Sequence, residues 1–317
     1  MKKFTNSFKD LSKNDASIAG GKGASLGEMT KTGIPVPPGF VVLAGAFEQF
    51  CEETDLDVEI DAILHTVNHK EIHTVEEASE KIQALIIGSE MPVDIAKEVK
   101  EKFKILNAKY VAVRSSATSE DSSEAAWAGQ LDSFLNTTEE KLLENVKRCW
   151  ASLFTPRAIF YRFEKELHKT KISVAVVIQK MVESEVSGIA FSVHPVTEDY
   201  NQLIIEAGLG LGEAIVSGQI TPDSYVVEKE PRNIIDINIS EQDRGLYKVL
   251  TGGNEWRDLG EKGKKQKLSG KQILELSEII LRIEKHYGFP SDIEWALEKE
   301  KFYIVQSRPI TTLKTKT

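Results

Sequence analysis

The sequence has little of what secreted, membrane-spanning and nucleic-acid-binding proteins depend on. Its 317 residues include only two cysteines, Cys51 and Cys149, which are too few for a disulfide framework and fit a reducing cytosol. No run approaches the ~18 consecutive apolar residues of a membrane helix, and the amino terminus lacks the apolar core of a signal peptide. The net charge of −9 argues against a general nucleic-acid binder. We therefore expect a cytoplasmic protein that binds neither membrane nor nucleic acid.

The chain is long enough for two lobes, and its sequence pattern changes near residue 180. Apolar residues at helical spacing dominate the first part, over residues 45–53, 75–87 and 92–106. Short buried-strand patterns dominate from Val174 onward. We predict an α+β fold with a helix-rich α/β lobe over residues 1–180 and a strand-rich lobe over residues 181–317. Residues 231–268 are polar and contain several glycines, which predicts a loop or a β excursion without an assigned function.

Two polar pairs near the carboxy-terminal end of the sequence are its most informative feature. Asp292 and Glu294 are two apart in one strand-like run, and Gln306 and Arg308 are two apart in the next. Side chains alternate across a strand, so pairing of the two runs would bring all four residues to one patch. Oxygen ligands suit Mg²⁺ and a guanidinium suits phosphate. The spacing therefore predicts a binding place for a metal–nucleotide.

Three other segments are candidates for contacts with a nucleotide. Gly20–Gly23 contains Lys22 and permits close backbone approach to phosphate, but it lacks Walker spacing and could be an ordinary turn before a helix. Arg114 is predicted at the end of an apolar strand, where it either grips phosphate or forms a structural salt bridge. Residues 128–133 form a small-residue loop that could fold over a nucleotide.

Three further patterns are weaker. Gln179 is predicted just after a buried strand, where the chain either offers polar groups to a base edge or simply links two lobes. Residues 208–213 have the spacing G-x-G-x-G, which differs from the dinucleotide fingerprint and predicts a tight turn that starts a helix. His65, His69 and His73 recur at four-residue spacing, and a solvated surface is favoured over a metal site.

Taken together, these motifs resemble the amino-terminal ATP-binding domain of the phosphoenolpyruvate synthase (pyruvate, water dikinase) family. Pyruvate phosphate dikinase and rifampicin phosphotransferase are relatives in that family. The matching blocks occur in the same order as in the family. Together they are highly specific for the family, although no single block is. They are residues 20–29, 33–40, 112–121, 128–130, 149–158, 187–192, 208–223, 292–296 and 306–309.

The resemblance implies an ATP-grasp fold, in which ATP lies in the cleft between two α+β lobes. It implies that Lys22 and Arg114 contact the ATP phosphates. Gly129 and Ser133 would belong to the loop that covers these phosphates, and Ser133 stands where relatives often have threonine. Gln179 and its neighbours would line the adenine pocket.

The resemblance also assigns the polar pairs near the end of the sequence. Glu294 and Gln306 would form the Mg²⁺ site with the support of Asp292. Arg308 would stabilise the phosphate during its transfer. The implied catalytic residues are Lys22, Arg114 and Arg308.

The implied activity is that of an ATP-dependent phosphotransferase. It would bind MgATP and transfer a phosphoryl or pyrophosphoryl group to a histidine on a separate carrier domain, in cis or in trans. The carrier's histidine motif and the pyruvate-binding barrel are not in the sequence, which predicts an excised domain or a free-standing ATP-binding half. The alternatives are a rifampicin phosphotransferase-type ATP-binding domain, a non-catalytic ATP sensor and direct phosphorylation of a small acceptor. The final acceptor, whether pyruvate, rifamycin or another molecule, is left open.

Overall fold

The computed structural model describes residues 2–118, 121–122, 125–126, 131–165 and 173–313, with the backbone alone at 121, 122, 125 and 126. Contacts between Cα atoms group the chain into two compact units. The first is Met1–Glu28 with Pro38–Met181, and the second is Met29–Pro37 with Val182–Thr317. The division into domains at residues 1–180 and 181–317 stays a prediction. The grouping by contacts differs from it chiefly because it places residues 29–37 in the second unit.

An antiparallel sheet runs through the first unit. In chain order its strands are β1 (Thr5–Ser7), β2 (Gly39–Val42), β3 (Val111–Ala117), β4 (Asp121–Ser122), β5 (Ala125–Ala126), β6 (Ser133–Thr137) and β7 (Val174–Lys180). Five of them pair in the order β1–β2–β7–β3–β6, whereas β4 and β5 pair with each other. The last strand of the unit therefore lies between two strands from earlier in the chain.

Helices accompany this sheet, and all of them except the first share an apolar core with one of its faces. They are α1 (Ala16–Lys31), α2 (Ala44–Glu53), α3 (Leu56–His65), α4 (Ile72–Gly88), α5 (Val93–Leu106), α6 (Leu142–Ala151) and α7 (Pro156–Glu164). The helices predicted over 45–53, 75–87 and 92–106 are confirmed as α2, α4 and α5. Among the helices of the described residues, none combines the length and the apolar character that a bilayer crossing requires.

The second unit contains a larger antiparallel sheet and one long helix. Its strands are β8 (Val186–Phe191), β9 (Gln202–Leu209), β10 (Asp223–Glu228), β11 (Asn233–Asn238), β12 (Arg244–Lys248), β13 (Asn254–Asp258), β14 (Ser291–Glu298) and β15 (Lys301–Pro309). Six strands pair in the order β11–β10–β9–β8–β14–β15, and β12 pairs with β13. The predicted β excursion is thus confirmed, since β11, β12 and β13 lie within residues 231–268.

The helices of this unit are α8 (Glu213–Val216) and α9 (Gly270–Tyr287). A reciprocal capping box between Ser269 and Gln272 begins α9, and Gly288 ends it in the left-handed conformation. The side chains that α9 buries recur at helical spacing, at Ile273, Leu276, Ile280 and Ile283. Each unit thus combines helices with an antiparallel sheet, so the predicted α+β class is confirmed.

Two strands are longer than the sequence predicts, and both carry candidate residues. Arg114 is the fourth of the seven residues of β3, so its predicted position at a strand end is wrong. Gln179 lies within β7 and does not follow it. The serines after Arg114 continue the strand because their buried hydroxyls find backbone partners. Ser115 Oγ donates to the carbonyl of Asp132 (3.0 Å), and Ser116 Oγ donates to the carbonyl of Ala19 (3.0 Å).

Both cysteines are buried, and we expect neither to react in the folded protein. Burial raises the pKa of Cys149 to about 12, although its hydrogen bond with Ser115 opposes the rise. At pH 8 a thiol with this pKa is almost entirely protonated and is a poor nucleophile. Iodoacetamide should therefore label neither Cys51 nor Cys149 in native protein and both in urea, as followed by intact-mass spectrometry. Rapid labelling of the native protein would contradict this expectation.

Candidate functional site

The candidate residues of the first unit share one face of its sheet. Residues paired directly across antiparallel strands point to the same face, as do residues two apart in one strand. Arg114 pairs with Ser133 of β6, and Gln179 of β7 pairs with Ala112, two residues before Arg114. The apolar residues that alternate with these in β3 and β7 belong to the core. Arg114, Ser133 and Gln179 therefore project from the face opposite the core.

The turn that contains Lys22 is tied to that same face. Helical geometry is interrupted at Gly20, whose φ of 68° and ψ of 169° lie in a region that essentially only glycine occupies. Ser116, two residues after Arg114, donates from Oγ to the Ala19 carbonyl (3.0 Å) and accepts from the Gly23 N–H (3.2 Å). In place of the predicted glycine turn before a helix, the structure has a break at Gly20 within α1, and this break is anchored to the strand that carries Arg114.

Gln179 offers an unused donor on this face. Its side chain is only 2% exposed, and its Nε2 atom has no hydrogen-bond partner among the described residues. An unsatisfied buried donor costs about 1–3 kcal/mol, so such an atom indicates a place where a ligand acceptor would be favourable. Gly129, the other candidate of the first unit, lies outside the described residues.

The predicted strand pair of the second unit is confirmed. In the β14–β15 hairpin, Asp292 pairs with Arg308 and Glu294 pairs with Gln306. The loop at Lys299–Glu300 has φ angles of 49° and 60°, as in the two-residue turns that match the twist of paired strands. All four polar residues therefore project from one face of the sheet.

An ion pair organises part of this patch. Arg308 contacts Asp292 Oδ2 through Nε (2.8 Å) and through a terminal nitrogen (2.7 Å). Burial raises the pKa of Asp292, while the charge and hydrogen bond of Arg308 oppose the rise. One oxygen of Asp292 is thus engaged by the guanidinium, which holds Arg308 beside Glu294 and Gln306.

A third carboxylate, which the sequence analysis missed, faces the same side. Glu206 of β9 pairs with Ile189 of β8, and Ile189 pairs with Glu294 of β14, so the three form one row across the sheet. Burial raises the pKa of Glu206, and the nearby charge of Asp292 raises it further. The sequence does contain a signal for Glu206, because it is a glutamate within the apolar run 203–207. Burial of a charged side chain in such a run costs free energy unless the charge is paired or binds a ligand.

The donor set suits a cation that is held only partly by protein. Within the described residues, no group of three or more His, Cys, Asp or Glu side chains is arranged to hold a metal ion. Mg²⁺ bound with a nucleotide takes one or two carboxylates, and phosphate and water complete its shell. The carboxylate of Glu294 and the amide oxygen of Gln306, paired across β14 and β15, fit this mode.

A polar network fixes the start of β14, next to Asp292. Ser291 and Ser192 exchange two hydrogen bonds: the Ser291 N–H donates to Ser192 Oγ (2.8 Å), and the Ser192 N–H donates to the Ser291 carbonyl (2.9 Å). Ser192 Oγ also contacts Glu284 of α9 (3.1 Å), which in turn pairs with Lys229 (2.7 Å). The strand that carries the acidic pair is therefore attached to α9, which limits its freedom to shift.

Comparisons with known proteins agree with this chemistry. Residues 16–317 match the family described as pyruvate phosphate dikinase, AMP/ATP-binding domain. A probable phosphoenolpyruvate synthase of Methanocaldococcus jannaschii is 46% identical over 98% of this chain and 27% of its own length. The phosphoenolpyruvate synthase of Pyrococcus furiosus is 40% identical over 98% of this chain and 44% of its own. The rifampicin phosphotransferase of Bacillus cereus is 39% identical over 99% of this chain and 36% of its own.

The chain thus spans less than half the length of each of these relatives. Among solved structures, D-alanine–D-alanine ligase from Helicobacter pylori matches with a TM-score of 0.30 and 12% identity. The match covers 75% of this chain and 54% of the ligase. A similarity this low supports no inference about the fold or the function.

Proposed function

Because the chain belongs to the pyruvate phosphate dikinase AMP/ATP-binding domain family, we propose that it transfers a phosphoryl or pyrophosphoryl group from MgATP to a histidine. That histidine would lie on a separate carrier domain, in cis or in trans, as in a phosphoenolpyruvate synthase-like enzyme. The supporting observation is the β14–β15 register, which aligns Asp292 with Arg308 and Glu294 with Gln306. Oxygen ligands and a guanidinium on one face are what a metal–nucleotide requires.

In the first unit we assign the phosphates and the base to different ends of one sheet face. Lys22 and Arg114 contact the phosphates, Gly129 belongs to the loop that covers them, and Ser133 acts from the start of β6, beside Arg114. Gln179 donates its unused Nε2–H to the base, which the burial of that atom supports. For the fold of the chain we propose ATP-grasp, as the family resemblance implies.

In the second unit Glu294 and Gln306 hold Mg²⁺, and Asp292 supports the site by fixing Arg308. Mg²⁺, when bound, neutralises phosphate oxygens. Arg308 donates to the oxygens that carry charge as the phosphate is transferred, while Lys22 and Arg114 hold the remaining phosphates. Positioning and charge stabilisation supply most of the rate in phosphoryl transfer, so these cations are the catalytic residues that we propose.

We expect Glu294→Ala and Gln306→Ala each to weaken ATP binding about tenfold or more when Mg²⁺ is present. Hydrogen bonds and ligands to charged groups contribute about 1.5–3 kcal/mol, and 1.4 kcal/mol corresponds to tenfold in Kd. Isothermal titration calorimetry measures the Kd for ATP with excess Mg²⁺ and again with EDTA. The loss of affinity should appear only in the titration with Mg²⁺. Glu278→Ala, which removes an exposed carboxylate of the same unit, is the control. Unchanged Mg²⁺-dependent affinity in both variants would contradict the site.

Phosphorus NMR separates the proposed enzyme from a mere ATP sensor. With Mg²⁺ and a carrier-histidine domain borrowed from a related enzyme, a competent ATP-binding half should modify the carrier histidine. Pyrophosphoryl transfer would give AMP and a pyrophosphohistidine, which yields phosphohistidine and inorganic phosphate on hydrolysis, whereas phosphoryl transfer would give ADP and phosphohistidine. No histidine adduct should form without that domain. ATP binding without turnover with any borrowed domain would favour a sensor. ADP formation with a small metabolite alone would instead indicate direct phosphorylation.

A rifampicin phosphotransferase-type ATP-binding domain is the second candidate. The 39% identity to the Bacillus cereus protein, close to the 40% identity to the Pyrococcus furiosus synthase, favours it as a serious alternative. The two candidates differ in which carrier domain accepts the phosphate. Preferential phosphorylation of a carrier domain from a rifampicin phosphotransferase, measured beside one from a synthase, would support the second candidate.

A further inference from the structure

We propose that Ser116 is a positioning residue, which holds the Gly20–Gly23 turn so that Lys22 is presented to the phosphates. This role rests on the proposed function of Lys22, and none of the motifs assigns a role to Ser116. Ser116 is 0% exposed, so its hydroxyl has no role in solvation. Its side chain lies on the same face of β3 as Arg114, two residues before it.

The hydroxyl of Ser116 occupies the place of a missing helical hydrogen bond. In an uninterrupted helix the Gly23 N–H would donate to the carbonyl of Ala19, four residues earlier. Here Ser116 Oγ donates to the Ala19 carbonyl (3.0 Å), and the Gly23 N–H donates to Ser116 Oγ (3.2 Å). A side chain inserted into the helical ladder is a recognised cause of a sharp break. The break at Gly20 is therefore bridged by a residue from another element.

The glycines of the turn make this approach possible. A Cβ added at Gly20 would lie 2.6 Å from the carbonyl carbon of Ser116, and closer still to its two oxygens. A Cβ added at Gly23 would lie 3.0 Å from a methyl carbon of Val41 on β2. The turn is thus in close contact with β3 on one side and β2 on the other. Lys22 lies between these two contacts, so the position of its backbone depends on both.

Removal of the hydroxyl would leave two buried backbone groups without their present partner. Ala19 and Gly23 are both buried, so the freed carbonyl and N–H would not regain water at their present positions. The two groups could regain a hydrogen bond by pairing with each other in the helical ladder, which would require the turn to change its backbone at Gly20 and move. Movement of the turn would displace Lys22 from the phosphates while the far end of the sheet face, at Gln179, stays in place.

The test is a double-mutant cycle on ATP binding. We expect Ser116→Ala to raise the Kd for MgATP about tenfold and to leave the Kd for adenosine unchanged, because only the phosphate contact is displaced. Lys22→Met should raise the Kd for MgATP about tenfold to a hundredfold. If Ser116 acts through Lys22, the double variant should bind MgATP no more weakly than Lys22→Met alone.

Ser152→Ala is the matched control. Ser152 is a buried serine of the same unit whose hydroxyl also makes two hydrogen bonds, to the Cys149 carbonyl (2.7 Å) and to Ser115 Oγ (3.0 Å). The Ser152→Ala variant should be less stable than wild-type protein but should bind MgATP with the same affinity. If Ser116→Ala does not fold, Ser116→Cys keeps a weak donor and acceptor in the same place and should shift the MgATP Kd in the same direction.

The outcomes are distinguishable. If wild-type protein binds MgATP and Lys22→Met weakens binding, unchanged affinity in the Ser116 variants overturns the positioning role alone. Additive losses in the double variant, or a parallel loss of adenosine affinity, also overturn it, because Ser116 would then act independently of Lys22. If wild-type protein fails to bind MgATP, the proposed function itself is wrong and the role of Ser116 falls with it.

Discussion

Replacement of Arg308 by alanine is expected to slow phosphoryl transfer about 10²- to 10³-fold, the usual loss when one donor to a developing charge is removed. The Kd for MgATP should change much less. Arg308 is already aligned by two contacts with Asp292 Oδ2, at 2.7 and 2.8 Å, before any nucleotide binds. A guanidinium that is oriented in advance stabilises charge without reorganisation at the moment of transfer. Its removal therefore lowers turnover more than ground-state affinity.

The measurement pairs single-turnover phosphorylation of an added carrier-histidine domain with the Kd for MgATP from titration calorimetry. Arg232→Ala is the matched control, because Arg232 also pairs with a carboxylate of the second unit, Glu278, at 2.7 Å. Arg308→Lys should recover only part of the rate, since lysine keeps the charge but lacks the planar fork. A loss in Arg308→Ala no larger than in Arg232→Ala would contradict the catalytic role. An equal loss in affinity and turnover would indicate a binding role only.

The parts of this site that the sequence predicts are those with short-range signals. Alternation of Asp292 with Glu294 and of Gln306 with Arg308 fixes which side each pair faces, and a short polar loop joins the strands. These signals suffice for the hairpin because the two strands are neighbours in the chain. The long helix α9 is predictable for the same reason, since its capping residues and its apolar stripe lie within one segment.

The parts that the sequence does not predict depend on distant contacts. Ser116 continues β3 because its hydroxyl meets Ala19 and Gly23, more than 90 residues earlier in the chain. Small polar residues after an apolar run normally predict the end of a strand, and tertiary contacts override that preference here. Glu206 belongs to the acidic face because β8 pairs with both β9 and β14, an order that no local pattern reveals.

Contacts between residues distant in the chain also determine the structure of residues 231–268. The sequence predicts only that this segment is polar, and it assigns the segment no function. The structure anchors this segment through a buried ion pair between Asp223, at the start of β10, and Lys267. Lys267 Nζ contacts Asp223 Oδ1 at 2.9 Å, and both side chains are 0% exposed. The carboxylate also accepts from the N–H of Ser240 (3.0 Å) and from the hydroxyl of Tyr225 (2.7 Å). One aspartate thus holds both ends of the segment 240–267, which contains β12 and β13.

Asp223→Ala is accordingly expected to lower the free energy of unfolding by about 3–5 kcal/mol, the usual cost when one partner of a buried ion pair is removed. The charge of Lys267 would stay buried, and its remaining partners among the described residues would be the carbonyls of Ser240 (2.6 Å) and Gly263 (2.9 Å). Urea unfolding followed by circular dichroism measures the loss. Amide hydrogen exchange should show that protection falls first in β12 and β13, because their segment is anchored through this pair.

Two variants separate the buried charge from the loss of packing. Asp223→Ala combined with Lys267→Met removes the uncompensated charge and should recover part of the stability, because an apolar side chain tolerates burial. Glu278→Ala breaks the partly exposed pair with Arg232 and should cost less than about 1 kcal/mol. A loss in Asp223→Ala no greater than in Glu278→Ala would mean that Lys267 reaches water once released. The excursion would then be held by its hairpin contacts rather than by the ion pair.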